Sequence, residues 1–261
     1  MQSAQRLLVF APHPDDESLG CAGLIQQVLA QGGQVRVVFA TDGDANPWPQ
    51  RYLERRWRLG DGARARWGAR RRTEALGALR TLGVSAPDAV CFLGWPDQGL
   101  TALRRTQGEV CIARLRDEIL AWQPTWLAGP VSWDEHPDHA SLARMLDAAL
   151  AQIDRPIRVF GYLIHGRRKP GGLGALTLTS SQQACKAAAI LCHRSQMALS
   201  RRRFLRYARK LEPYAPTLVE PAPHRASSSA AGSDLPTSAA STRVVAVVCC
   251  YDVATWCGAV I

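Results

Sequence analysis

The sequence lacks several features that would assign a protein to a class directly. Its eight cysteines include no CxxC pair, and no apolar run approaches the about 18 residues that a membrane-spanning helix needs. We therefore expect no transmembrane segment, and the apolar run at residues 7–11 is too short for a signal-peptide core. Scattered cysteines in apolar segments usually pack as small hydrophobic side chains, so the simplest interpretation is a reducing, cytoplasmic location.

Lysine is also scarce, although the chain is strongly basic. Only three of its 32 basic residues are lysines and the other 29 are arginines, against 22 acidic residues, which gives a formal net charge of +10. Arginine can bind carboxylates and phosphates through two hydrogen bonds at once, so an anionic substrate or a membrane headgroup stays open as a partner. No nucleic-acid recognition motif accompanies the charge, and we expect no nucleic-acid partner.

Strand-like and helix-like segments alternate along most of the chain. Apolar runs predict strands at residues 7–10, 34–40, 89–93, 126–128 and 157–164, and helical spacing predicts helices at residues 18–31, 70–82, 107–122, 139–152 and 182–193. This alternation predicts an α/β protein with a mostly parallel sheet and helices on both faces. Ligands bind beyond the carboxyl ends of the strands in such folds.

Two segments depart from this alternation. Residues 51–72 contain nine arginines and two tryptophans without a clean period, which is typical of a solvated arginine-rich loop or helix; a substrate lid is the alternative. Residues 220–261 begin with a stretch rich in proline, alanine and serine and end in an apolar segment with three cysteines. We expect one domain at residues 1–219, followed by a disordered or atypical tail at residues 220–261.

The first motif with chemical meaning is APHPDDE at residues 11–17, where the first predicted strand ends and a helix begins. His13 and Asp16, three residues apart on a turn, can converge on one cation. Of the two neighbouring carboxylates, Asp15 and Asp16, one can bind a metal while the other accepts a proton from water. The alternative is that these acids and Ser18 only cap the helix N-terminus.

The second motif is WDEHPDH at residues 133–139, which follows the strand predicted at residues 126–128 and opens another helix. His136 and His139 can supply one imidazole for a metal and another for a reacting oxygen, and Asp138 can orient a ring nitrogen. Both motifs lie at predicted strand ends. Together they offer His, Asp and His with room for water, the arrangement of catalytic rather than structural zinc.

At these residues the chain resembles the LmbE/PIG-L family of N-acetylglucosaminyl deacetylases, whose hallmarks are an AHPDDE-like motif and a downstream HPDH-like motif. Three further segments are similar to family segments: RRTEA at residues 71–75, FLGWPD at residues 92–97, and the stretch from Lys186 to the HRSQ at residues 193–196. The resemblance covers about residues 7–215.

The resemblance implies a Rossmann-like fold, a Zn²⁺ cofactor (Fe²⁺ in some members), and removal of the N-acetyl group from a small-molecule amino-sugar conjugate. It implies the following roles: metal ligands His13, Asp16 and His139; general base Asp15; oxyanion stabiliser His136; substrate contacts Arg71 and Asp97. We interpret Glu17 and Asp138 as residues that hold the ligand loops through hydrogen bonds.

Two other functions stay open at the level of sequence. A metal-dependent amidase could act on a non-sugar amide, such as an antibiotic acyl chain, because a metal site acts only on the carbonyl group. A catalytically inert basic binding protein is the third hypothesis. The two motifs retain every group that the reaction needs, which argues against an inert protein: His13, Asp15, Asp16, His136 and His139.

Overall fold

The computed structural model describes residues 4–166 and 174–219, which form a seven-stranded sheet with helices on both faces. The elements in chain order are β1 (Arg6–Ala11), α1 (Asp16–Gly20), α2 (Ala22–Ala30), β2 (Gln34–Thr41), α3 (Pro47–Glu54), α4 (Asp61–Thr81), β3 (Val90–Trp95), α5 (Leu100–Trp122), β4 (Trp126–Pro130), α6 (Pro137–Leu150), β5 (Ile157–Tyr162), β6 (Gly174–Thr177), α7 (Ser180–Cys192), α8 (Arg194–Leu205) and β7 (Leu211–Val219).

The strand order is β3-β2-β1-β4-β5-β7-β6. Strands β1 to β5 are parallel to one another, whereas β7 runs antiparallel to both β5 and β6. The predicted mostly parallel α/β fold is therefore confirmed. The chain order of the strands reverses between β1 and β4, and ligands bind beyond the carboxyl ends of strands at such a switch point. Both motifs lie there, APHPDDE after β1 and WDEHPDH after β4.

Strand β1 shows how the sheet separates two hydrophobic layers. Its side chains alternate between the two faces, so Leu7 and Val9 pack in one buried cluster while Leu8 and Phe10 pack in the other. The first cluster is covered by α2, α4 and α7, and the second by α5 and α6. Because β1 is buried on both faces, its sequence after Arg6 is a continuous apolar run and does not alternate with polar residues.

The helix predicted at residues 18–31 is in fact two helices that meet at Cys21. Two buried side chains from later in the chain bind the carbonyls at this break: Lys186 Nζ donates to Leu19 O at 2.8 Å, and the Tyr214 hydroxyl donates to Gly20 O at 2.8 Å. These side chains satisfy carbonyls at the end of α1, so the chain can turn there without unpaired polar groups.

The arginine-rich stretch at residues 51–72 is largely helical. Helix α4 begins at Asp61, nine residues before the predicted start, and buries Trp67, Gly68 and Arg71 on one face while most of the other side chains in this half are exposed. The structure describes no helix long and apolar enough to cross a membrane within residues 4–166 and 174–219. The predicted tail at residues 220–261 lies outside the described residues.

Candidate metal centre and active site

The loop between β1 and α1 holds the first motif in an unusual backbone conformation. Asp15 has φ 144° and ψ −27°, a region that L-residues rarely adopt and that costs about 1–3 kcal/mol. Glu17, which is fully buried, accepts the backbone N–H of Asp15 at 2.9 Å through one carboxylate oxygen. Its other oxygen accepts from Ser18 Oγ at 2.7 Å and lies 3.0 Å from His193 Nε2. Glu17 thus links the motif loop to Ser18 and His193.

The second motif forms the turn that leads into α6. His136 is the N-terminal capping residue and Pro137 is the first helical residue, where a missing N–H leaves no hydrogen bond unmade. The Asp134 carboxylate accepts the backbone N–H groups of His136 at 2.9 Å and of Ile164 at 3.0 Å. The Asp134 carboxylate therefore holds the turn after β4 against the end of β5.

Three side chains converge between the two motifs. His13 Nδ1 and His139 Nε2 each lie 3.2 Å from the same oxygen, Asp16 Oδ2. Ligands at about 2.0–2.1 Å from a tetrahedral zinc ion are about 3.3 Å apart, so the three atoms have the spacing of a metal-ligand set. All three residues are buried, and they form one of the two residue groups with ligand spacing within the described chain. The other group is His13, His136 and Asp138.

The remaining ring nitrogen of each candidate ligand histidine faces a carboxylate. His139 Nδ1 lies 3.1 Å from Asp134 Oδ2, and both side chains are fully buried. His13 Nε2 lies 3.2 Å from both Asp138 Oδ2 and Asp97 Oδ1. Metal-binding histidines commonly donate their other N–H to a carboxylate, which fixes the tautomer and leaves the lone pair for the metal.

One buried atom supports metal binding most directly. His139 Nε2 is buried without a hydrogen-bond partner among the described residues, because Asp16 Oδ2 is close but not in the direction of a hydrogen bond. An unpaired nitrogen in a fully buried ring is costly unless something binds it. The residues present therefore fit a divalent cation held by His13, Asp16 and His139.

Negative charge dominates this region of the protein. Burial alone would lower the pKa of His139, but the charge of Asp16 and the contact with Asp134 raise it to about 9. For His13, burial is likewise outweighed by contacts with Asp138, Asp16 and Asp97, which raise its pKa well above the usual value. The same carboxylates that favour an added proton also favour a divalent cation.

The Asp15 carboxylate is paired with Arg71 in the interior. Arg71 Nη2 donates to Asp15 Oδ2 at 2.9 Å and to Pro14 O at 2.6 Å, and Nη1 donates to Gly43 O at 2.7 Å. Gly43 allows this approach, because a Cβ there would lie 1.8 Å from Nη1. Burial raises the pKa of Asp15 to about 6 although Arg71 opposes that shift, and such a value suits a general base near neutral pH.

The two residues expected to contact substrate lie deeper than that role suggests. Arg71 is 4% exposed and its two terminal nitrogens already bind protein oxygens. Asp97 is 8% exposed; one carboxylate oxygen faces His13 and the other accepts the Ala45 N–H at 2.6 Å. Burial alone would raise the pKa of Asp97, but His13 lowers it to about 2, so this carboxylate is ionised beside the centre.

His136 lies beside two candidate ligands, and its Nε2 has no hydrogen bond among the described residues. Its ring centroid lies 4.9 Å from that of His13 and 5.0 Å from that of His139. The Asp138 N–H donates to His136 Nδ1 at 3.2 Å, so Nε2 carries the proton of the neutral ring. Partial burial, together with the charges of His13 and His139, lowers the pKa of His136 and favours that neutral form.

Two residues of this region, Asp134 and His165, have no role in the sequence-based prediction, and the structure identifies the imidazole that Asp138 faces. Asp134 lies within the second motif and orients His139, whereas Asp138 faces His13. His165 follows β5, with its ring centroid 5.0 Å from that of His139 and 5.1 Å from that of His136. The position of His165 after a parallel strand next to β4 was the available signal.

Known proteins share sequence with much of this chain. The profile of the PIG-L family, described as GlcNAc-PI de-N-acetylase, matches residues 8–150, which is more than half of the chain. A 1D-myo-inositol 2-acetamido-2-deoxy-alpha-D-glucopyranoside deacetylase of Mycobacterium avium (strain 104) is 34% identical over 158 residues. That match covers 53% of this chain and 49% of the relative, so the chain spans about half the length of the curated relative it matches.

Solved structures share the fold at lower identity. The N,N'-diacetylchitobiose deacetylase from Pyrococcus horikoshii has a TM-score of 0.62 at 22% identity, covering 83% of this chain and 85% of that one. The 4-carboxy-2-hydroxymuconate hydratase from Pseudomonas putida KT2440 has a TM-score of 0.57 at 20% identity, covering 85% and 99%. The fold alone therefore does not decide the reaction. The matched profile, which spans both motifs, shows that the chain belongs to the PIG-L/LmbE family of N-acetylglucosaminyl deacetylases.

Proposed function

We propose that this protein is a zinc-dependent hydrolase, with Fe²⁺ as the alternative metal, that removes the N-acetyl group from an N-acetylglucosamine-containing conjugate. The observation that carries the proposal is the convergence of His13 Nδ1, Asp16 Oδ2 and His139 Nε2, with a carboxylate behind each imidazole. When bound, the metal would lower the pKa of a water molecule and polarise the acetyl carbonyl. The names of the relatives supply the substrate class.

The residues of the chain divide the proton transfers between them. Asp15 accepts a proton from the attacking water and later returns it to the leaving amine, for which a pKa of about 6 is suitable. His136 donates a hydrogen bond from Nε2 to the oxygen of the tetrahedral intermediate as a neutral imidazole. The N–H of the neutral ring is sufficient to stabilise the negative charge that develops on that oxygen.

A substrate panel tests this function. Free amine and the released carboxylic acid are measured for N-acetylglucosamine glycosides and N-acetylated amino acids, which release acetate, and for a long-chain N-acyl amide, which releases a fatty acid; amine and acid should form in equal amounts. We expect the glycosides to have the highest kcat/KM. Faster release from the non-sugar amides would establish the amidase alternative instead, and a protein without metal and without turnover would be a binding protein.

The contacts of Arg71 favour a role in positioning Asp15 over the substrate contact that the resemblance implies. Arg71→Ala should lower the free energy of unfolding by about 3–5 kcal/mol, because it leaves a buried carboxylate and two carbonyls unpaired, and kcat should fall with it. Arg70→Ala is the matched control, since Arg70 is an exposed neighbour paired with Glu74. A rise in KM alone, with stability unchanged, would return Arg71 to the substrate-binding role.

Asp134 offers a second test, because it is not one of the candidate ligands and contacts one of them, His139. Asp134→Asn should weaken metal affinity by about 10–100-fold while the three ligands stay in place. Competition with a chelator of known affinity measures this change. Glu135→Gln alters the exposed neighbouring acid and should leave the affinity unchanged; equal effects of the two substitutions would contradict the role of Asp134.

Metal affinity should also depend on pH in a defined direction. The pKa of His139 is about 9 without metal, so the ring is protonated at pH 7 and must lose that proton before it can bind a cation. Affinity should therefore fall roughly tenfold per pH unit for each displaced proton as pH drops below 9. Calorimetry in two buffers of different ionisation enthalpy counts the protons released. Zero release at pH 7 would contradict these charge states.

A further inference from the structure

A cavity beside the metal centre carries an excess of positive charge that the proposed reaction does not use. The cavity has a volume of about 360 Å³, and Arg203, Arg206 and Arg209 line it together with Tyr207. Its wall includes Ile164 and Gly166, the residues on either side of His165. The cavity is therefore placed at the end of β5, next to the group of imidazoles that surrounds the candidate metal ligands.

The three arginines have no anionic partner in the described part of the chain. No carboxylate within residues 4–166 and 174–219 forms an ion pair with any of them. The one acid among the described lining residues, Glu212, is buried and bound to Lys186 Nζ at 2.5 Å, and it also accepts two backbone N–H groups of α2. Glu212 is thus neutralised, and the arginines leave the cavity positively charged.

Arg203 connects this cavity to the metal centre. Its Nη2 lies 3.2 Å from His165 Nδ1, and arginine only donates, so His165 accepts there. The His165 ring in turn lies 5.0 Å from the His139 ring. Arg203 is therefore separated from a candidate metal ligand by one imidazole.

The chemistry of the proposed substrate keeps its aglycone close to the reacting group. In N-acetylglucosamine the acetamido group is on C2 and the aglycone is attached to C1, so a substituent on C1 begins one carbon from the reacting group. Planar guanidinium groups bind phosphate and carboxylate oxygens through paired hydrogen bonds. We propose that the cavity lined by Arg203, Arg206 and Arg209 binds a phosphate or carboxylate group on the aglycone. This inference rests on the proposed function.

Three glycosides test the inference on the metal-loaded protein: N-acetylglucosamine 1-phosphate, the carboxymethyl glycoside and the neutral methyl glycoside. We expect the wild-type KM to be at least about tenfold lower for one or both anionic compounds than for the methyl glycoside. The compound with the lower KM identifies the group as phosphate or carboxylate. Equal KM values for all three would overturn the inference while leaving the deacetylase function intact.

Substitutions then locate the effect. Arg203→Gln and Arg206→Gln should each raise KM for the favoured anionic compound about tenfold and leave KM for the methyl glycoside within about twofold. Arg203→Lys keeps the charge and should recover part of the loss. Arg202→Gln is the matched control, because Arg202 is exposed on the same helix and is not among the lining residues. An equal effect of Arg202→Gln would show that general charge, not the cavity, is responsible.

A binding measurement separates this inference from the proposed function. Inorganic phosphate is titrated into the wild-type protein and into the Arg203→Gln/Arg206→Gln double variant, with circular dichroism as a check of folding. We expect binding to the wild type and at least about tenfold weaker binding to the folded double variant. This result would support the anion site even if no glycoside were deacetylated. Equal phosphate binding to both proteins would overturn it, as would no phosphate binding to the wild type together with equal KM values for the carboxymethyl and methyl glycosides.

Discussion

Asp15→Asn should retain the metal and lower kcat by at least about a hundredfold, the usual scale for the loss of a positioned general base. The amide has the shape of the carboxylate and its oxygen can still accept the Arg71 hydrogen bond of 2.9 Å, but it cannot take a proton from water. Asparagine has the same branching at Cβ as aspartate, so the substitution should add no strain to the backbone at φ 144°. Elemental analysis and acetate release on the same preparation measure the two quantities together.

Two controls protect this interpretation. The thermal unfolding midpoint shows whether the loss of the Asp15 charge beside Arg71 disturbs the fold. Glu17→Gln changes a carboxylate that holds the same loop but is not proposed to take a proton, and it should lower kcat less than Asp15→Asn does. A metal-free Asp15→Asn protein would contradict the assignment of Asp15 as a base that does not bind metal.

Asp16→Asn and His139→Ala should have the opposite phenotype, a folded protein with little metal. Asp16 supplies the only anionic ligand, and both candidate nitrogen ligands lie 3.2 Å from its Oδ2. His139 supplies the nitrogen that has no hydrogen-bond partner among the described residues. Metal per chain should fall from about one to near zero after dialysis, and activity should fall with it.

Added metal distinguishes weak binding from lost catalysis in these variants. High zinc or ferrous iron should restore part of the activity of Asp16→Asn, because its side chain can still offer a neutral oxygen, whereas no concentration should restore Asp15→Asn. If Asp15→Asn lost metal while Asp16→Asn kept it, the roles of the two neighbours would have to be exchanged.

The position of the site could be predicted from the sequence, because it depends only on where each buried strand ends. His13 and His139 each follow a continuous apolar run that reads as a buried strand, and parallel strands bring their carboxyl ends to one edge. Contacts between distant residues could not be predicted. Which carboxylate faces which imidazole depends on the turn after β4, and Asp134 rather than Asp138 orients His139.

The missed elements have similar causes. The break between α1 and α2 depends on Lys186 and Tyr214, which are far along the chain, so no local pattern marks it. Strand β7, LEPYAPTLV, contains two prolines, which lack the N–H of a ladder hydrogen bond and obscure a strand pattern. The burial of Arg71 depends on its contacts with residues that lie much earlier in the chain: Pro14, Asp15 and Gly43. The early start of α4 at Asp61 is hidden by arginine-rich composition.

The most direct test of the central claim is acetate release from an N-acetylglucosamine glycoside before and after removal of metal. The protein is treated with a chelator, dialysed, assayed, and then titrated with zinc or ferrous iron under anaerobic conditions. The geometry of His13, Asp16 and His139 predicts no activity without metal and full recovery at about one equivalent per chain. A metal-free protein that releases acetate at the original rate would contradict the proposed mechanism.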